Sequence, residues 1–284
     1  MKTGLVLTGG GARGIAHIGA IKALEKIGFK PDIIVGCSMG AIVGGIYACG
    51  SPIDFIEDYL INKFEFRKHT ERWTFQFSRG PIVRFIQVEQ ALTAMIHDRG
   101  VDNGEKILNL IRELTQNKNF EQTEIPFACN AVDILSGKEI VLNSGNVAEA
   151  IRASMSLPGI FTPVTRGNML LIDGGILNNN PIEIAKAMGA RKILTIEVSP
   201  FVKWDFSDAK NGLAIFLRSL DVIGKKIESL KKQKPNLKII AYDGTHTMDF
   251  DRKKQLIALG EEAVLKDRER IEKIFLRKIF GLRV

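Results

Sequence analysis

Gly36-Cys37-Ser38-Met39-Gly40 places a serine between two glycines, each two residues away. A β-branched trio, Ile33-Ile34-Val35, precedes it and reads as a strand, while the apolar stretch after it reads as a helix. A strand-to-helix turn of this kind lifts the serine hydroxyl clear of the sheet, and the flanking glycines relieve the crowding it creates. The helix that follows points its N-terminal dipole and free amides, beginning with that of Met39, toward the serine. The chemistry these residues could do is nucleophilic attack by Ser38. A small-residue turn with Ser38 as a helix cap uses the same letters.

Gly9-Gly10-Gly11-Ala12-Arg13-Gly14 forms a second glycine-rich turn, after the short apolar strand Leu5-Val6-Leu7. Read strictly it is the dinucleotide fingerprint, which requires an acidic residue at the end of the next strand. That strand ends instead at Gly36, with Asp32 at its start, so no nicotinamide cofactor is expected. Exposed amides of Gly9, Gly10 and Gly11 can equally hold the oxyanion of an acyl-transfer intermediate. Loops of adjacent strand–helix units open on the same edge of a parallel sheet, where sites collect. Arg13 is placed either to steer an anionic headgroup or to form a structural salt bridge.

A serine nucleophile needs a base. The chain has four histidines, His17, His69, His97 and His246. His17 falls one turn into the first helix, where packing explains it. His246 follows Asp221 and Asp243, which fits the Ser…Asp…His order of α/β-hydrolases. The other candidate is Asp173, in Leu171-Ile172-Asp173-Gly174-Gly175 at the end of a strand, where two glycines let the chain bend and a substrate approach. An aspartate with an ordinary pKa of about 3.9 is a weak base, so its pocket must raise that value or exclude water.

The elements that must position these groups are strands alternating with helices in the first half, which imply a parallel sheet covered on both faces. A helix spans Ile18, Ile21, Leu24 and Ile27, and residues 54–122 are mostly helical in pattern. Further strands are expected over Ile125–Val132, Glu139–Leu142, Met169–Ile172, Lys192–Val198 and Leu237–Ala241, with helices over Val147–Met155 and Pro181–Met188. The 284 residues, 45% hydrophobic and 25% charged, suit one large domain. From Ile33 to Ile53 no residue is charged, and Gly36, Gly40 and Gly44 repeat at the spacing of bilayer helix pairs. A buried strand, a turn and a buried helix explain the same run. Three cysteines, Cys37, Cys49 and Cys129, have no metal-ligand spacing and suit a reducing cytoplasm. No metal is expected, and no secretory signal is read at the N-terminus.

The net charge is +8, which favours anionic partners. Phe64, Phe66, Trp73, Phe75 and Phe77 interleave with Arg67, Lys68, Arg72 and Arg79, as in a partly buried irregular excursion or in a lid or interfacial surface beside an active site. No recognisable nucleic-acid module frames them, so nucleic acid is not expected as a partner. The C-terminal apolar positions Val264, Ile271, Ile274, Phe275, Ile279 and Leu282 fall near helical spacing. From Lys273 onward Lys273, Arg277, Lys278 and Arg283 occur without an acid, the pattern either of a helix that packs its apolar stripe on the domain or of a basic amphipathic helix at the inner face of a membrane.

The order and spacing of four blocks resemble bacterial patatin-like phospholipases: Gly9 to Gly14, Gly36 to Gly40, Ala153-Ser154-Met155-Ser156-Leu157-Pro158-Gly159-Ile160-Phe161, and Asp173-Gly174-Gly175. The resemblance spans about residues 4–198 of a single domain, with 199–284 packing on or extending it. It implies a three-layer α/β/α fold with a mainly parallel central sheet. It also implies a Ser38–Asp173 dyad without catalytic histidine, and hydrolysis of fatty acyl esters of phospholipids or lysophospholipids without cofactor. Thr8 is a departure, since many relatives carry an acidic residue there.

Overall fold

Strands β1 (Thr3–Leu7) and β2 (Ile33–Gly36) show no polar–apolar alternation because both their faces are buried. Leu5, Leu7 and Ile34 enter one core, while Val6, Ile33 and Val35 enter another. A sheet covered by helices on both sides demands such strands. The computed structural model describes residues 1–65, 100, 102–209, 212–276, 278–279 and 282–283. The aromatic and basic residues from Phe66 to Arg79, together with His97, lie outside the described residues.

Among the described residues the sheet has eight strands, completed by β3 (Phe127–Asp133), β4 (Lys138–Leu142), β5 (Val164–Arg166), β6 (Met169–Asp173), β7 (Lys192–Glu197) and β8 (Leu237–Ile240). Its order is β5-β6-β3-β2-β1-β7-β8, with β4 also paired to β3. The pairs from β3 through β8 along this path are parallel, whereas β3–β4, β3–β6 and β5–β6 are antiparallel. The mainly parallel sheet expected from the sequence is present, with its antiparallel pairs confined to the β4, β5 and β6 strands around β3. The connections β3–β4 and β5–β6 are tight turns, too short for a crossover.

Helices α1 (Ala16–Lys26), α2 (Met39–Ala48), α3 (Ile53–Asn62), α4 (Glu105–Leu114) and α5 (Val147–Ser154) feed the larger core. After α6 (Gly175–Asn178), α7 (Ile182–Ala187) seals the opposite face through Ile182, Ile184 and Ala185. α8 (Gly212–Leu230) packs on α6, whereas α9 (Lys253–Lys266) and α10 (Arg268–Phe275) join the larger core. The uncharged run from Ile33 resolves into β2 and the ten-residue α2. Among the described residues, no helix is long and apolar enough to cross a membrane.

The C-terminus differs from its periodicity. The helical pattern continues to Leu282, yet α10 stops at Phe275 and a small hairpin follows, β9 (Lys278–Ile279) with β10 (Leu282–Arg283). Ile271 and Phe275 are buried, and the Phe275 ring meets Phe29 edge-on with centroids 5.4 Å apart. The apolar stripe of α10 is thus used on the core rather than left for a membrane.

Candidate active site

The turn after β2 is strained where the sequence places the nucleophile. Ser38 sits at φ 52°, ψ −121°, a conformation that costs a non-glycine residue of order 1–3 kcal/mol. The surroundings impose it. The Ser38 N–H donates to Ser154 Oγ at 3.0 Å, and the Ser38 carbonyl accepts from Ala41 and Ile42 at 2.9 and 3.1 Å. A side chain on Gly40 would lie 2.2 Å from the Leu7 carbonyl oxygen, and one on Gly36 would lie 2.4 Å from that of Gly40. Only glycines two residues either side let α2 pack this tightly on β1.

Asp173 reaches the same place from the opposite direction. β3 gives one edge to β4, so β2 and β6 must share the other. Gly36 ends β2 beside Cys129, and Asp173 ends the antiparallel β6 beside Ala131, so the two strand ends face each other across Asn130. Gly174 is required at that meeting, because a Cβ there would come within 2.5 Å of the Asn130 carbonyl oxygen.

The Asp173 N–H donates to the Ser156 carbonyl at 3.0 Å, and Asp173 Oδ1 accepts from the Gly175 N–H at 2.7 Å. Burial pushes the carboxyl up to about 6, even though the nearby Ser38 hydroxyl, the Gly175 amide and the Cys37 thiol pull the other way. The Ser38 hydroxyl thus shares its cleft with a carboxylate more basic than an ordinary aspartate. Burial raises the Cys37 and Cys129 thiols, and that of Cys49 to about 11, so none is a ready thiolate.

The glycine loop divides into two parts. Gly9 N–H donates to Asn179 Oδ1 at 3.0 Å, and Asn179 Nδ2 returns a bond to the Gly9 carbonyl at 3.3 Å. This corrects Gly9 as an oxyanion donor, since its amide is already used. Among the described residues, the N–H groups of Gly10, Gly11 and Met39 have no protein acceptor. Gly14 lies against the Met39 side chain and joins the two turns. Thr8 anchors the loop: its Oγ1 accepts from the Val198 N–H at 3.1 Å, and its carbonyl bonds His17 Nε2 at 2.8 Å. Burial holds His17 down to about 4, so it is neutral.

Arg13 turns away from the headgroup role considered for it. Its guanidinium donates to the Thr245 carbonyl at 2.7 Å and Ser199 Oγ at 2.8 Å, and lies over the Tyr242 ring. It ties the loop to the segment before α9. His246 Nδ1 accepts from the Met248 N–H at 3.2 Å, and His246 is not part of the cleft lining that Ser38 and Asp173 share. Asp32, at the start of β2, bonds Thr3 at the other end of the strands from the glycine loop.

Ser38 and Asp173 open into a cleft of about 220 Å³. One wall is apolar, with Met39, Ile42, Leu157, Ile160, Phe161 and Phe250. The other, from α8 and the residue that follows it, carries Asp221, Lys225, Glu228 and Lys231. Among the described residues, no group of His, Cys, Asp or Glu side chains is arranged to hold a metal ion.

Asn179 and the individual parts played by Ser154 and Ser156 escaped the sequence. Asn179 is one of three consecutive asparagines, and no local pattern says which of them reaches back to Gly9. Asn179→Ala leaves a donor and an acceptor of the loop unpaired, so kcat/KM for an ester is expected to fall roughly ten- to a hundredfold. Steady-state kinetics beside an unchanged circular dichroism spectrum would check this, and wild-type kinetics would refute it.

A mixed α/β/α sheet carrying a strained serine turn, a glycine loop and a buried aspartate at one edge defines an α/β protein of the nucleophile-elbow type. The family model for patatin-like phospholipase matches residues 5–186, and the chain belongs to that family. It is 36% identical over 198 residues to an uncharacterised NTE family protein of Mycobacterium bovis, covering 70% of this chain and 49% of that one. It is 34% identical over 199 residues to a lysophospholipase, NTE1, of Mycosarcoma maydis, covering 70% of this chain and 10% of the relative. The chain therefore spans half or less of the length of these two relatives. Among solved structures, VipD from Legionella pneumophila superposes with a TM-score of 0.55 at 16% identity, covering 95% of this chain and 67% of that one. That last likeness concerns the fold.

Proposed function

We propose that the chain is a serine acyl hydrolase that cleaves fatty acyl esters of phospholipids or lysophospholipids through Ser38 and Asp173. The observation that carries this reading is the strained Ser38, which lines one cleft together with a buried carboxylate of pKa about 6 and a set of apolar side chains. Membership of the patatin-like phospholipase family and the kinship to a lysophospholipase support the substrate class. Three free thiols suit a reducing cytoplasm.

Asp173 takes the proton of Ser38 as Oγ attacks the ester carbonyl carbon. The resulting oxyanion sits among the N–H groups of Gly10, Gly11 and Met39, at the positive end of α2. Collapse breaks the ester C–O bond, and the departing alkoxide takes the proton back from Asp173. Water then attacks the acyl-enzyme with Asp173 again as base, releasing the fatty acid and restoring Ser38.

Release of fatty acid from lysophosphatidylcholine and phosphatidylcholine, measured with chelator present, tests the reading. Turnover of either that is unaffected by chelator supports it, and no turnover of either overturns it. The pH dependence is also specified. The base is active when ionised, so log(kcat/KM) is expected to rise with unit slope up to pH about 6 and level above it. His246→Ala should keep both that limb and the plateau. A His246 variant that loses activity, beside an active Asp173→Ala, would favour the Ser–Asp–His reading instead.

A further inference from the structure

The amphipathic pattern of α8 is inverted. Its cleft side presents Leu220, Asp221, Gly224, Lys225 and Glu228, whereas Ile215, Phe216, Val222, Ile223 and Leu230 are between 45% and 70% exposed. Positions 215 and 222, and 216, 223 and 230, recur along one helical face, with Ser219 and Lys226 between them. A helix that merely covers a core buries such a stripe, and a contiguous apolar stripe facing outward marks an interaction surface. Phe201 and Phe206, on the chain leading into α8, add two more exposed rings.

The helix is anchored so that this face stays outward. Arg218 stacks over Phe201 and Trp204 at 4.0 and 5.0 Å from the ring centroids and donates to the Val202 carbonyl at 2.6 Å. Glu228 bonds Lys225 at 3.4 Å and Lys238 at 3.6 Å. The surrounding charge selects the occupant. Residues 225–234 contain Lys225, Lys226, Lys231, Lys232 and Lys234 against Glu228 alone. Lys226 and Lys232 are exposed, one on the apolar face itself and the other just past its end. Aromatic and aliphatic side chains with lysines on and beyond the C-terminal end of the stripe match an anionic lipid–water interface. They match an acidic protein groove less well, because the same helix forms the rim of the cleft that opens onto Ser38.

We infer that the outer face of α8 docks on an anionic phospholipid bilayer and so holds the helix that lines the cleft at the surface carrying the substrate. The inference rests on the lipid-ester reading for its purpose, but its binding step is separately measurable. Residues 212–234, rather than the C-terminal segment from Lys273, form the docking surface.

The test uses the full chain and two double variants that leave the cleft lining untouched, Phe216→Ser with Ile223→Ser and Lys226→Glu with Lys232→Glu. Cosedimentation is measured with vesicles of phosphatidylcholine alone and of phosphatidylcholine mixed with phosphatidylglycerol, alongside hydrolysis of a soluble short-chain ester. Wild type is expected to bind the mixed vesicles, with each double variant weakened about tenfold or more. Soluble-ester turnover is expected to stay within about twofold.

Variants that cosediment like wild type overturn the inference. So does a wild-type dimer in solution that the Phe216/Ile223 variant dissolves, because the face would then belong to a second copy. Vesicle binding lost in the variants, in a protein that never hydrolyses the soluble ester, upholds the docking surface and sinks the hydrolase reading.

Discussion

Ser38→Ala is expected to abolish ester hydrolysis, lowering kcat by on the order of 10⁶, and to leave the protein unlabelled by a fluorophosphonate probe. In the proposed mechanism the hydroxyl is the atom that forms the acyl-enzyme, so no neighbour can substitute for it. Cys37 is buried with its thiol pushed well up, and Ser154 Oγ is occupied by the Ser38 amide. The loss should not come from unfolding, because the backbone of the turn is held by the Ser154 and Leu7 contacts rather than by the Ser38 side chain. Ser38→Gly makes the second arm. It is equally inactive, but the positive φ that strains serine is free for glycine, so its melting temperature should lie above that of Ser38→Ala. Labelling that persists in either variant places the nucleophile elsewhere.

Asp173→Asn carries the second large effect, and it moves activity and stability in opposite directions. Removing the base is expected to lower kcat by on the order of 10⁴, leaving residual catalysis from the oxyanion donors. The fold should gain. A carboxyl whose pKa rises from 3.8 to about 6 on folding binds its proton more tightly in the folded state. Its contribution is fully present below pH about 3.8 and is lost as pH rises to about 6, so above that the ionised group destabilises the protein. The shift corresponds to about 3 kcal/mol. Asparagine loses part of that gain through its weaker bonds to Ser38 and Gly175. A net stabilisation of about 1–2 kcal/mol at pH 8, shrinking toward zero near pH 4, is the expected outcome of chemical denaturation at the two pH values. A variant that is less stable at pH 8, or that retains wild-type turnover, is incompatible with a buried catalytic base at this position.

The site was legible where its causes are local. The glycines at 36 and 40, the strand before them and the helix after them lie within one short stretch, and steric crowding at a turn depends on little else. Gly9 to Gly14 was legible as an amide-rich loop for the same reason. The loop's internal division was not. Three adjacent glycines look alike until Asn179 arrives from far along the chain and takes the amide of the first. Arg13 likewise could have faced a ligand, and was committed only by Thr245, Ser199 and Tyr242. At the C-terminus the apolar period was correct as far as Phe275, while the hairpin beyond it required knowing which residues already had a core to bury against.

What the sequence determined by itself is the strained turn and the strand–helix order, because backbone sterics and hydrophobic period act over a few residues. The pairing of Ser38 with Asp173 rather than a histidine came from the resemblance to the family. The tertiary structure decided that the pair meets. β6 runs antiparallel to β3 and stops beside Ala131, so that its end faces the end of β2 along one edge of the sheet. It also decided the chemistry available there. The basicity of Asp173 comes from loss of water, and desolvation is set by every segment that packs around the carboxyl, none of which its own neighbours in the chain reveal.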